Sequence, residues 1–317
     1  MMRTRFLPVL VVAVWATPPL QGDVTIRSRN SIRFGAVLPG PVAQRTRNGT
    51  ESPMPDSTVR YRKGAREYLK SGTFACLMDF DPQTITILDD EHKRFATVAM
   101  KEYAGKLAAA FPTLPPEYRM AQAGAKVSLT SRKTGRHEAM QGVEAEETEM
   151  TGSVALPVPA PNGEMHSEPL IQLTLQVWLA QPAVRELTGH TWPGAGFSLS
   201  IDPANTLGSA FGSMPGLGDA LSRMLQEVEK TGALVLKSHL EASLPGMASF
   251  LQQMRREQGQ ALPDAVDVNA PFSVVDTEVV ELSTSPVDDR IFQLPADYHA
   301  APFEEVVKSV MPGYPRS

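Results

Sequence analysis

The sequence predicts an α+β fold in which one mainly antiparallel β-sheet carries a few amphipathic helices on one side. Segments of strand length with period-two alternation dominate the chain. Turn residues recur between them at short spacing, and the two later helical periods are separated by a strand rather than paired.

The first residues read as a secretory leader. Met1 to Arg5 carry two arginines and no acid, Phe6 to Ala16 form an apolar run broken only by Pro8, and Thr17 to Gly22 restore small, turn-prone residues. A run of about eleven residues rises only ~16 Å as a helix, roughly half the hydrocarbon thickness, so cleavage is expected rather than anchoring. Residues 1–22 are therefore expected to be a signal peptide, 23–300 a single β-rich exported domain, and 301–317 a C-terminal tail. An insertion or sub-domain boundary is placed near 193–216.

Along the domain, Asp23 to Phe34 alternates Val24, Ile26, Ile32 and Phe34 with polar neighbours, and Val59 to Leu69 is a second extended segment. The clearest meander is Phe74 to Phe80, Thr84 to Leu88 and Arg94 to Val98, with turns at Asp81-Pro82-Gln83 and Asp89-Asp90-Glu91. Lys101 to Phe111 switches to a helical period and stops at Pro112. Ala125 to Ser131 and His137 to Met140 flank Lys133-Thr134-Gly135-Arg136 as a predicted hairpin, and Val143 to Met150 continues the sheet.

Ile171, Leu173, Leu175, Val177 and Leu179 alternate with polar residues and Trp178 in the cleanest strand pattern of the chain, so one face there is expected to be buried. Pro182 to Gly189 is expected as a short helix and Pro193 to Gly216 as an irregular connection. Leu217, Leu221, Met224, Leu225 and Val228 predict an amphipathic helix, as do Met247, Phe250, Leu251 and Met254. Leu234 to Ala242, Phe272 to Leu282 and Arg290 to Leu294 are predicted strands.

Composition narrows the function classes. Net charge is −5, from 30 Lys and Arg against 35 Asp and Glu, with no long block of either sign. The basic clusters at Arg27 to Arg33 and Arg60 to Arg66 are short and read as solvent faces of strands, so nucleic acid is not an expected partner. No later segment approaches ~18 consecutive apolar residues, so no integral membrane segment is expected after cleavage. Cys76 is the single cysteine; it excludes an intramolecular disulfide, and its apolar setting predicts a buried, inert thiol.

Sites of chemistry are sparse. The six histidines, at 92, 137, 166, 190, 239 and 299, form no ligand-spaced pair, so no metal site or cofactor is expected. Asp79, Asp81, Asp89 and Asp90 are expected to form turns. Glu144 and Glu146 should share one strand face while Glu147 and Glu149 take the other, as a solvated edge that discourages aggregation. There is no G-x-S-x-G elbow and no phosphate-binding glycine loop. Asn48-Gly49-Thr50 matches a glycosylation sequon.

Three segments carry a resemblance: Met78 to Tyr103, where an acidic turn joins two strands that lead into a helix; Arg132 to Met150, with Thr134-Gly135 and Gly142; and Leu173 to Val184, where Trp178 ends a long strand. With the closing Phe292-x-x-Pro295, they resemble the bacterial exported family known as domain of unknown function 4412, over about residues 72–187. The chain departs from that family in having Val143-Glu144-Ala145 where members carry a cysteine, and in the stretch from Pro193 to Gln260.

The resemblance implies a curved, half-barrel-like sheet, similar to the periplasmic lipoprotein carriers that hold acyl chains. It suggests Ile171, Leu173, Leu175 and Val177 as a candidate groove wall, although plain core beneath the two amphipathic helices is the first expectation for this stripe. The expected function is a non-enzymatic envelope module, periplasmic or extracellular, that binds a lipid or other hydrophobic ligand, or an envelope protein. A secreted hydrolase with a fold-assembled acidic or Ser/His site, and a structural or assembly module, are the alternatives.

Overall fold

The computed structural model describes residues 23–34, 56–110, 126–159, 165–180, 217–245 and 270–310. The leader, the predicted short helix at Pro182 to Gly189, the connection at 193–216 and the predicted helix around Met247 to Met254 lie outside the described residues.

The strands are β1 (Val24–Phe34), β2 (Ser57–Lys63), β3 (Arg66–Ser71), β4 (Phe74–Asp79), β5 (Thr84–Asp89), β6 (Arg94–Ala99), β7 (Lys126–Met140), β8 (Val143–Pro159), β9 (Met165–Ala180), β10 (Val235–Ser243), β11 (Ser273–Ser283) and β12 (His299–Ala300). The α-helices among the described residues are α1 (Met100–Ala110), α2 (Leu217–Thr231) and α3 (Phe303–Val310). All twelve strands join one open, curved, mixed sheet in the order β12-β6-β5-β4-β3-β2-β1-β11-β10-β9-β8-β7. Each pairing is antiparallel except that of β12 with β6. The predicted sheet with few helices is thus present, and among the described residues no helix is long and apolar enough to cross a membrane.

Several local expectations need correction. Val59 to Leu69 is a hairpin of β2 and β3, because Gly64 takes φ +56° and turns the chain. The predicted hairpin at Lys133–Arg136 is instead a register irregularity within β7, where Gly135 takes φ +77°. The true β7–β8 turn is Gln141-Gly142, with φ +50° and +76°, joining the directly paired Met140 and Val143. Two positive φ values in a two-residue loop match the twist of the flanking strands. Arg290 to Leu294 is not a strand: Asp289–Phe292 form a 3-10 helix, begun by the Asp288 side chain accepting from the Arg290 N–H at 2.9 Å.

Two helix-covered clusters flank the middle of the sheet. α1 and α3 lie over β5 and β6, where Phe74, Met78, Ile85, Ile87 and Val98 meet Tyr103, Val306 and Val310. Tyr103 and Phe303 pack edge-on with centroids 5.9 Å apart. α3 falls in the stretch predicted to be a tail, yet Val306, Val307 and Val310 are all buried. α2 lies over β7, β8 and β9, where Ala220, Met224 and Val228 meet Met150, Val154 and Leu173. Gly152 permits this seat, since a Cβ there would stand 3.1 Å from the Met224 methyl.

Candidate functional site

Strand pairing makes one face of the sheet continuous. Directly opposed residues project to the same side, so Ile32 on β1 leads through Val275 and Leu240 to Leu175 and Met150. In the other direction, Ile26 and Ser28 lead to Arg60 and Thr58, then to Leu69 and Ser71, then to Cys76 and Phe74. This core face is apolar at both ends.

The candidate groove wall occupies one of those ends. Ile171, Leu173, Leu175 and Val177 are 0%, 1%, 8% and 2% exposed and belong to the cluster beneath α2. They form one apolar row, as their alternation predicts. Trp178 and Ala180 alternate with that row on β9 and belong to a third cluster, with Ala145, Leu236, Val279, Val24 and Ile26.

Between the apolar ends the same face carries a polar band on β1 to β3. Asn30, Thr58, Arg62, Glu67 and Ser71 are each at most 6% exposed. Asn30 Nδ2 donates to Thr58 Oγ1 at 2.8 Å, and Thr58 and Ser71 hydroxyls lie 3.1 Å apart. Arg60 Nε stands 3.3 Å from Glu67 Oε1, both side chains nearly inaccessible. Arg62 lies 5.4 Å over the Phe80 ring. Burial lowers the Arg62 pKa, with Glu67 opposing and Arg60 adding to that effect.

This corrects the expectation of a solvent face for Arg60 and Arg62, while Arg66 at the end of that cluster is exposed as expected. In Thr58-Val59-Arg60-Tyr61-Arg62 a binary reading puts Val59 and Tyr61 inside, but pairing Ile26 with Arg60 and Val24 with Arg62 puts the arginines on the core side. The signal available in sequence was the strict alternation; its phase was not. Arg27 and Arg33 do face solvent, in ion pairs with Glu281 at 2.9 Å and Asp276 at 3.0 Å.

The remaining polar clusters bind the protein to itself. Asp89, 2% exposed at the end of β5, accepts from Ser309 Oγ at 2.6 Å, Arg94 at 2.8 Å and the His92 N–H at 3.1 Å. Burial alone would raise its pKa; these donors outweigh it and hold the carboxyl at about 2. The neighbouring Asp90 accepts from Tyr298 and Lys70, each at 2.6 Å. The aspartates of this turn therefore fasten β5, α3 and the segment before β12.

On the outer face, a row of paired positions crosses from Arg132 through Glu149, Gln176 and His239 to Asp276 and Ser31. His239 Nδ1 lies 2.6 Å from Asp276 Oδ1, and Ser31 Oγ donates to Asp276 Oδ2 at 3.3 Å. The carboxylate stands between the hydroxyl and the imidazole, so the serine donates to Asp276 and not to His239. That order does not activate a nucleophile.

The glutamates of β8 also differ from expectation. β8 is an inner strand between β9 and β7, and Glu147 is fully buried. Its Oε2 accepts from Thr134 Oγ1 at 2.8 Å and pairs with Arg136 at 3.2 Å, which pins the irregularity in β7. Cys76 is buried at 0% exposure, as its setting predicts.

Of two open clefts, the second opens on the core face at its β7 edge, since Leu129 and Ser131 there oppose Gly152 and Met150. One, of about 460 Å³, lies at the β2–β3 and β4–β5 turns with Asp23, Lys63, Arg66 and Asp79 around it. The other, of about 450 Å³, lies between β7 and α2, beside Leu129, Arg223 and Glu227. No group of three or more histidine, cysteine or carboxylate side chains among the described residues is arranged to hold a metal ion. Compared with known proteins, the chain matches no protein-family model and no curated sequence.

Proposed function

We propose that this chain is an exported, non-enzymatic module of the cell envelope that holds a hydrophobic ligand, a lipid or lipoprotein acyl chain, on the core face of its curved sheet. One observation carries the reading: the core face of β8 to β11 holds a contiguous apolar cluster, bordered by the row Thr148, Ser238 and Thr277, with α2 laid across β7 to β9 at one end. The seat of α2 depends on the contact of Met224 with the glycine-sized gap at Gly152. Displacing such a helix exposes Leu173, Leu175 and Val177 together, and each apolar side chain that a ligand covers again contributes about 1.5–3 kcal/mol. The half-barrel resemblance and the leader-like N-terminus support the same reading, as an analogy of fold and compartment.

Native mass spectrometry of protein purified from the envelope fraction, followed by lipid extraction, tests it. The expected result is a co-purifying species of lipid mass that is lost on solvent extraction and regained from a lipid panel. Protein that is ligand-free and takes up no lipid from the panel would overturn the proposal.

A further inference from the structure

We propose that the buried polar band on β1 to β3 receives the anionic headgroup of an amphiphile whose apolar chain lies along the adjoining core face of β8 to β11. The inference rests on the ligand-binding reading above and adds the chemical class of the ligand.

Position is the first support. Ile32 packs against the apolar cluster of β8 to β11, while Asn30, two residues along the same face of β1, opens the polar band. Two strand residues span only about 7 Å, so polar and apolar surface adjoin at the scale of a lipid headgroup and its first methylenes.

Composition is the second. On adjacent, paired strands the band places two guanidinium groups, Arg60 and Arg62, and one carboxylate, Glu67. Arginine presents a planar fork of donors that matches a carboxylate or a phosphate in a bidentate way. Asn30, Thr58 and Ser71 add an amide and two hydroxyls in a hydrogen-bonded chain.

Energetics is the third. Withdrawing several ionised groups from water costs several kcal/mol each before pairing, and well-packed apolar residues in their place are often neutral or stabilising. A band of this kind, set between two apolar clusters, is poorly explained by stability alone. Burial that lowers the Arg62 pKa would be relieved by an incoming anion.

The test compares probes that share a chain and differ in the head. Binding of oleate and of oleyl alcohol to the purified protein is measured by titration calorimetry at pH 8, with acetate as a chain-free anion. Oleate is expected to bind at least tenfold more tightly than oleyl alcohol, and acetate is expected not to displace it. Arg62→Gln, with its fold checked by circular dichroism, should bring the ratio toward one. Equal binding of the two oleyl probes by the native protein would overturn the headgroup site while leaving the carrier reading intact. Binding of neither would overturn both. Displacement of oleate by acetate at millimolar concentration would show a simple anion site and also overturn the amphiphile.

Discussion

Asp89→Asn isolates the node that fastens α3 to the β5–β6 turn. The substitution keeps the shape and removes the charge that Ser309, Arg94 and His92 address. In the native fold the carboxyl titrates at about 2 against an ordinary 3.8. A depressed folded-state pKa contributes stability that is fully present above the unfolded value and lost as pH falls through the folded one. From that difference the carboxylate contributes about 2.4 kcal/mol at pH 5 and about 0.8 kcal/mol at pH 2.5, a loss of ~1.6 kcal/mol. Its side chain is only 2% exposed, so salt screens this contribution weakly. Urea unfolding, followed by circular dichroism at pH 5 and pH 2.5, measures the loss for native protein and variant. Other carboxylates titrate in both, and the difference between the two losses isolates Asp89. The native protein should lose about 1.5 kcal/mol more than the variant between the two pH values. Equal losses, within about 0.5 kcal/mol, would refute the assignment of Asp89 as an ionised, multiply hydrogen-bonded anchor.

Three further outcomes follow from the packing and the outer face. Leu173→Ala, in the row beneath α2, should destabilise by about 2–5 kcal/mol in urea, while Val280→Ala, at a side chain 39% exposed, should stay within about 0.5 kcal/mol. Gly152→Val puts a branched side chain where even a Cβ stands 3.1 Å from Met224, and should cost about 1–3 kcal/mol. Met224→Ala should recover much of that loss in a double-mutant cycle, and independent effects would contradict the contact. His239 is lowered by partial burial but raised more by Asp276 and Glu241, so its NMR titration midpoint should exceed 6.5 and fall in Asp276→Asn. The stability from that raised value is present below about pH 6.5 and lost as pH rises through the folded-state pKa.

The parts of the fold legible in the sequence are those where local pattern and tertiary context agree. Asp23 to Phe34, the meander from Phe74 to Val98 and the alternation from Ile171 to Leu179 each lie within a strand or strand group of the sheet. The helical periods at Lys101 and Leu217 became α1 and α2. Errors arose where one local signal had two physical solutions. Thr134-Gly135 satisfies a hairpin turn, but the glycine equally permits an irregularity inside a long strand, and Glu147 on the next strand selects the latter through Thr134 and Arg136. Residues 303–310 are eight long and carry little helical signal alone; their valines are helical because the β5–β6 surface covers them.

The polar band on the core face shows the same division at the candidate site. Alternation in Thr58-Val59-Arg60-Tyr61-Arg62 determined that the arginines would share one face, since successive strand residues project to opposite sides. Which face it would be depended on the register with Val24 and Ile26 on β1 and with Leu69 on β3, fixed by pairing between distant segments. By itself the sequence determined a sheet-dominated chain, a single cysteine and an apolar row at Ile171 to Val177. Only the tertiary structure decided that this row and a buried pair of arginines lie on one continuous surface, because a period of two records alternation and leaves its phase to the neighbouring strands.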